Sequence, residues 1–205
     1  MSCPVQVEKV DEAPKGDAAA TRARILLVAK QVFSKRGYSE CGVRDIAGEL
    51  GLSATILFRY FGSKAGLFEA ALRDALRSEP IFPPRDQYGA FIAGRLTDPN
   101  HDMNPHAMCV LATAHEEARE IAARVLQELA VVPMAAWLGS PDAEARARQI
   151  LALCSGFVLY SFQLTVAPAR GDVDASMVSW LAQSVQMIVD EASAPAAKAV
   201  RAELA

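Results

Sequence analysis

Residues 41–71 read CGVRDIAGELGLSATILFRYFGSKAGLFEAA. Two short runs with helical apolar spacing, 43–50 and 54–60, are separated by Gly51. An aromatic cluster carrying Arg59 and Lys64 follows. The spacing predicts two helices joined by a tight turn. Gly42 stands at the N-cap of the first, and Asp45 falls at N3, near the positive end of the helix dipole. Gly51 supplies a left-handed turn position, and Ser53 caps the second helix. Ile46, Ala47 and Leu50 then face inward, Leu52 packs beneath the turn, and Ile56, Leu57 and Tyr60 give the second helix its buried side. Ser53, Ala54, Thr55, Phe58 and Arg59 are left toward solvent. This is the pattern of a helix-turn-helix, whose second helix enters the major groove of DNA.

Working outward, a helix is expected over 18–36, with Ile25, Leu26, Ala29, Val32 and Phe33 on one face and Gly37 as its stop. Another should follow Ser63 and end before Pro80. Further helices are expected over 85–96, 106–115 and 116–138, the last kinked or interrupted at Pro133. Ser140, Pro141 and Asp142 form a start signal for a helix reaching about residue 166. Gly171 and Asp172 should open a final helix to about residue 192. No strand-like alternation is present, so the fold class is all-α with about nine helices.

The net charge of −3 hides a split. Residues 17–76 hold nine Lys/Arg and six Asp/Glu, whereas residues 77–205 hold ten and fifteen. That asymmetry points to an anionic partner for the N-terminal part only. The four cysteines, Cys3, Cys41, Cys109 and Cys154, show no CxxC spacing, which gives no zinc or thioredoxin-type motif. No Gly-rich phosphate loop, G-x-S-x-G or H-E-x-x-H is present, so an enzyme is not expected. The first sixteen residues lack the apolar core of a secretory signal, and a cytoplasmic location is the expectation. The uncharged segment 150–169 is long enough to span a bilayer, but its polar residues favour a helix buried by its own domain and by a partner.

The stretch from Val43 to Leu72, with the preceding run TRARILLVAKQVFSKRGY, resembles the DNA-binding domain of the TetR family of bacterial transcriptional repressors. The Gly turn, the Phe58-Arg59-Tyr60-Phe61 cluster and the Ser63-Lys64 pair carry the resemblance. It departs from the usual family pattern at Gly42, where Thr is usual, at Ala54 (Lys or Pro), at Thr55 (Gly), at Ile56 (Thr) and at Phe58 (Tyr). Residues 1–16, with two Pro and mixed charge, read as a flexible tail, and the resemblance implies a helix-turn-helix domain over 17–63. It also implies a ligand-binding and dimerisation domain over 64–193, with the fourth helix as connector, and the Ala-rich stretch 194–205 reads as a frayed tail. The implied function is a homodimeric, ligand-responsive regulator bound to a palindromic operator, with no cofactor and no metal.

Arg44, Ser53, Ala54, Thr55, Phe58, Arg59, Tyr60 and Lys64 are the candidate DNA-binding residues. Operator binding should lean on Arg44, Arg59, Tyr60 and Lys64, because Ile56 and Phe58 lack hydroxyls. Aromatic and Met side chains could line an effector cavity; the candidates are Phe91, Met103, His106, Trp137, Phe157, Tyr160 and Gln163. The acidic C-terminal part suggests a neutral or cationic, largely apolar effector. The dimer face is expected at Leu153, Gly156, Phe157, Tyr160 and Leu164, packed against Met177, Trp180, Leu181, Ser184 and Ile188. The alternatives are a sensor of the same fold, using Cys41 for redox or His101, His106 and His115 for metal, and a non-specific DNA-binding protein.

Overall fold

The computed structural model describes residues 15–77, 82–98, 104–139, 142–164 and 173–191. Residues 1–14 and 194–205 of the expected tails, Met103, His101, and the Ser140-Pro141 and Gly171-Asp172 start signals lie outside them, whereas Lys15 and Gly16, expected in the tail, open the first helix. Nine helices and no strand occur among the described residues. They are α1 (Lys15–Arg36), α2 (Val43–Glu49), α3 (Ala54–Phe61), α4 (Lys64–Arg77), α5 (Tyr88–Thr97) and α6 (Pro105–Ala112). A 3-10 turn, Arg85–Gln87, leads into α5. Then come α7 (Glu116–Leu138) and α8 (Ala143–Val158, prolonged by a π-helical turn over Leu159–Gln163), and last α9 (Ala175–Asp190).

Element starts differ from expectation where a side chain supplies the cap. Asn104 accepts from the backbone N–H groups of His106 and Ala107 at 2.9 and 3.4 Å, so α6 begins at Pro105. Asp174 accepts from Ser176 N–H at 2.8 Å, and α9 begins at Ala175. Short polar acceptors at these positions satisfy N–H groups that the helix itself leaves unpaired. Pro133 acts as expected on α7, but through a wider turn than a simple kink. Residues Gln127–Val131 are π-helical, which accommodates the N–H that Pro133 lacks and its ring's approach to the preceding turn.

Two apolar cores organise the chain. The first joins α1–α4 to α6 and the first half of α7, around Phe33, Phe68, Leu57, Leu72 and Met108. It is continuous across residue 63, so α4 belongs to the packing of the helix-turn-helix as much as to that of α6 and α7. The second joins α5, the end of α7, α8 and α9 around Leu138, Ile150, Phe157 and Leu181. By length and composition α7 could cross a membrane. Here it lies within the bundle, with Ala118, Ile121, Ala122 and Val125 buried.

Helices α5 and α9 cross closely. A Cβ on Gly89 would lie 2.1 Å from the carbonyl oxygen of Ala182, so only glycine fits. Gln186 fixes the crossing: its Oε1 accepts from Gly89 N–H at 3.0 Å, and its Nε2 donates to the Arg85 carbonyl at 2.9 Å. Arg146 is buried, and its guanidinium donates to the carbonyls of Leu138 at 3.3 Å and Ile188 at 3.1 Å. A charge can be held there because it meets the last, otherwise unpaired carbonyls of α7 and α9 at their negative ends. Gly89→Ala should force α5 off α9 and lower stability by about 1–3 kcal/mol; thermal unfolding of the two proteins measures it.

Candidate functional site

The turn between α2 and α3 forms as the sequence predicts. Gly51 has φ +67 and Leu52 N–H returns to the Ala47 carbonyl at 2.9 Å. Gly42 N–H donates to Asp45 Oδ2 at 2.7 Å, one half of a capping box, since Gly42 has no side chain to return the bond. Leu57 is buried, and Ala54, Tyr60 and Phe61 pack partly against the first core. Thr55, Phe58 and Arg59 face outward, with Phe58 47% exposed. Ala54 therefore turns inward rather than to solvent, because it shares a face with Leu57 and Phe61 on α3. Ile56 is half-buried, and it is not among the residues packed on that core. Ser53 is exposed and its side chain makes no cap bond.

The cations of this face are held by aromatic rings. The Arg59 guanidinium lies 5.6 Å from the Tyr60 ring centroid, and that of Arg22 lies 5.4 Å from Phe61. Lys64 Nζ sits 4.3 Å from the Tyr38 ring centroid. Such contacts orient a charge without neutralising it. Arg44 is exposed on the first turn of α2. The outer face thus combines Ser53 and Thr55 hydroxyls with Arg44, Arg59 and Lys64 on short, mutually packed helices.

Tyr38 was not singled out in the sequence. Its hydroxyl donates to Glu117 Oε2 at 2.7 Å, and its ring packs against Phe33, Phe68 and His115. Burial, and then the bond to Glu117, push its phenol pKa up. The only local signal was an aromatic residue directly after the Gly37 helix stop. Helix α4 is braced from both sides. Asp74 accepts from Lys30 at 2.7 Å, and Glu69 accepts from Arg124 at 2.8 and 2.9 Å and from Arg73 at 2.9 Å. The hydrogen bonds from Arg124 and Arg73 hold the Glu69 carboxyl down to about 2.

At the far end of α4 lies a cavity of about 300 Å³. Its wall is formed by Leu76 and Arg77 of α4, by Phe91, Ile92 and Arg95 of α5, by His106 of α6, and by Leu129, Pro133 and Met134 around the π turn of α7. Phe82 and Tyr88 also line it, and Trp137 stands behind them, stacked 4.9 Å from Phe82. Of the expected effector residues, Phe91 and His106 reach the cavity wall and Trp137 backs it. Phe157 and Tyr160 border a different groove, and Gln163 is half-buried in the π turn of α8. Among the described residues no carboxylate lines the cavity, whereas two guanidinium groups do. His106 Nδ1 lies 3.3 Å from Ser155 Oγ, and burial holds its pKa down to about 4, so the ring is neutral at physiological pH.

The second groove runs between α8 and α9, lined by Leu153, Gly156, Tyr160, Met177, Trp180 and Ile188 among others. Tyr160, Leu164, Met177, Trp180 and Met187 are exposed. A Cβ on Gly156 would meet nothing within 4 Å. Phe157 and Leu181, expected on this face, are 2% and 0% exposed; their register on α8 and α9 turns them into the protomer's own core. Ser184 and Ile188 are half-buried. Burial pushes the Cys41 thiol up despite Lys64 nearby, and its Sγ donates to the Gly37 carbonyl at 3.0 Å. A reactive thiolate before α2 is thus not what this site provides. Among the described residues no three His, Cys, Asp or Glu groups come together to hold a metal.

Comparison with known proteins agrees with this architecture. Residues 25–71 match the family "Bacterial regulatory proteins, tetR family", and residues 88–189 match "Tetracyclin repressor-like, C-terminal domain". The chain belongs to the TetR family, which is one of DNA-binding regulators and not of enzymes. It is 32% identical over 109 residues to the HTH-type transcriptional regulator BetI of Stenotrophomonas maltophilia. That match covers 48% of this chain and 55% of the relative, about half the length of each. In fold it is similar to a TetR-family transcriptional regulator from Rhodococcus sp. The TM-score is 0.66 at 20% identity, covering 83% of this chain and 99% of that one. A transcriptional regulator from Saccharomonospora viridis, solved in complex with choline, aligns with a TM-score of 0.57 at 19% identity, covering 84% and 97%.

The stability of this site has two acid limbs. Glu69 ionises more readily when folded, so its stabilisation is complete above the ordinary value of 4.5 and is lost as pH falls toward about 2. His106 resists protonation when folded, so stability falls between its ordinary value of 6.5 and about 4. Glu69→Gln should flatten the first window and His106→Asn the second, read as the pH dependence of denaturant midpoints.

Proposed function

We propose that this chain is a homodimeric transcriptional repressor that leaves its operator when a small organic molecule enters the cavity beside α4. It acts in the cytoplasm, where a bacterial regulator meets DNA. The observation that carries the reading is the course of α4. Lys64 lies at its first turn, beside the outward face of α3, and Leu76 and Arg77 at its last turn form part of the cavity wall. Fourteen residues of helix span about 20 Å, so a displacement at the cavity is delivered to the DNA face by one rigid element. Family membership supports DNA binding. The choline held by the Saccharomonospora protein supports a small-molecule ligand in a fold of this kind.

Dimerisation is supported by the exposed apolar stripe of Tyr160, Met177 and Trp180, with Gly156 leaving room for close helix approach. Two copies related by a two-fold axis would bury it in a four-helix arrangement and present two α3 helices to successive major grooves. Leu153, Leu164, Ser184 and Ile188 complete that proposed face. A non-specific binder would hold random DNA nearly as well as any selected site, whereas a repressor should prefer its operator by about a thousandfold or more.

An operator selected from a random DNA pool and fluorescence anisotropy test the reading. Lys64→Ala should weaken all sequences alike and lower the salt slope by roughly one phosphate per half-site. Thr55→Ala should change the preference between operator variants. A Lys64→Ala protein with unchanged affinity and salt slope removes the phosphate contact. Gly156→Arg, which the protomer itself can accommodate, should give a monomer by light scattering and abolish operator binding. A variant that remains a dimer takes α8 out of the interface.

A further inference from the structure

We infer that Tyr38 is a positioning residue for operator binding: the face of its ring holds the Lys64 ammonium in place for a DNA phosphate. The inference rests on the reading of Lys64 as a phosphate contact and adds the residue that orders it. Three observations carry it. First, the contact is close. Lys64 Nζ lies 4.3 Å from the Tyr38 ring centroid, against 5.4 to 5.9 Å for the arginine–ring contacts among the described residues. Among the described residues Lys64 forms no ion pair with a carboxylate that would compete for its charge. A ring face orders an ammonium and leaves its positive charge available to an anion.

Second, the platform is rigid. Tyr38 is buried, its ring meets Phe68 edge-on at 5.4 Å and lies 6.2 Å from Phe33, and its hydroxyl is bonded to Glu117 of α7. Burial and the bond to Glu117 keep the phenol protonated, so Lys64 meets a neutral ring and not a phenolate. A lysine side chain that is free in solution loses much of its rotamer freedom when a phosphate fixes it. A ring that already holds the ammonium removes part of that loss.

Third, a cation at this place is not what the helix itself favours. Lys64 is the first residue of α4, whose start is capped by Ser63 Oγ accepting from Gly66 N–H at 3.0 Å. The positive end of a helix dipole disfavours a cation and favours an anion. The ammonium also stays close to the start of α2. Burial pushes the Cys41 thiol up, and the Lys64 charge is the largest influence opposing that rise. The ring thus holds the charge between the beginnings of α2 and α4, where a phosphate would offset it.

Double-mutant cycles on the selected operator, read by fluorescence anisotropy of the full-length protein, test the assignment. Tyr38→Leu should weaken operator binding by about two- to tenfold per half-site. In that background Lys64→Ala should cost less than it does alone. Arg44→Ala should cost the same in both backgrounds, which a general loosening of the helix-turn-helix would not allow. Tyr38→Phe keeps the ring and should bind the operator about as well as the unmodified protein. A further reading does not need Tyr38→Leu to fold. The Lys64 ε-protons, identified by their loss in Lys64→Ala, should resonate upfield of those of the other lysines, because the Tyr38 ring shields them. Additive costs of Tyr38→Leu and Lys64→Ala, lost binding in Tyr38→Phe, or ε-protons at ordinary lysine positions would overturn the assignment and leave the phosphate contact of Lys64 standing. A Lys64→Ala protein with unchanged affinity and salt slope overturns that contact and this inference together.

Discussion

The Tyr38 side chain is the contact on which the two halves of the molecule depend. It stands directly after α1, yet its hydroxyl is bonded to Glu117 at the start of α7. Its ring touches Phe33 of α1 and Phe68 of α4, and it carries the Lys64 ammonium on one face. A phenol suits this place because its body joins the apolar core and its one polar atom finds a partner. The consequence is geometric. The Lys64 cation, the core of the helix-turn-helix and the first turn of α7 all meet at a single ring. None can move far without disturbing the others.

Helix α4 extends that constraint lengthwise. Its apolar face, with Leu67, Phe68, Ala71, Leu72 and Ala75, is buried in the first core. Its polar face is held by Lys30 on one side and by Arg124 on the other. The Arg124–Glu69 pair, whose arginine is half-exposed, contributes little to net stability, and the buried apolar face supplies most of the holding energy. What the pairs add is direction: they fix the rotation of α4 about its own axis. That rotation sets where Lys64 lies at one end and Arg77 at the other. The cavity is placed at the second end because the π turn before Pro133 widens α7 there and brings Leu129, Ala130 and Met134 into its wall.

Charge on this protein acts locally rather than through its sum. The residues after α4 are acidic in total, but Glu116, Glu117, Glu120 and Glu128 lie on the exposed side of α7. Arg146 is turned inward and spent on helix-end carbonyls, while Arg77 and Arg95 stand at the cavity. A count over sequence averages across surfaces that a folded chain separates, and a ligand meets only one of them.

The sequence by itself determined the helices, the turn at Gly51 and the outward set of Thr55, Phe58 and Arg59. These depend on neighbours within a few residues, where periodicity, capping and glycine conformation act. It also marked the interruption of α7, because Pro133 lacks an N–H whatever surrounds it. Other features were settled only by tertiary structure. Phe157 and Leu181 look like members of an apolar stripe on α8 and α9, yet they fill the protomer's own core while Tyr160 and Trp180 do not. A helix that is apolar most of the way round does not say which side its own domain will cover. Arg77, Arg95, His106 and Met134 lie on four separate helices and become one wall only after packing. The Tyr38–Glu117 bond spans 79 residues. No local pattern encodes such a pairing, since its partners are chosen by the way two cores come together.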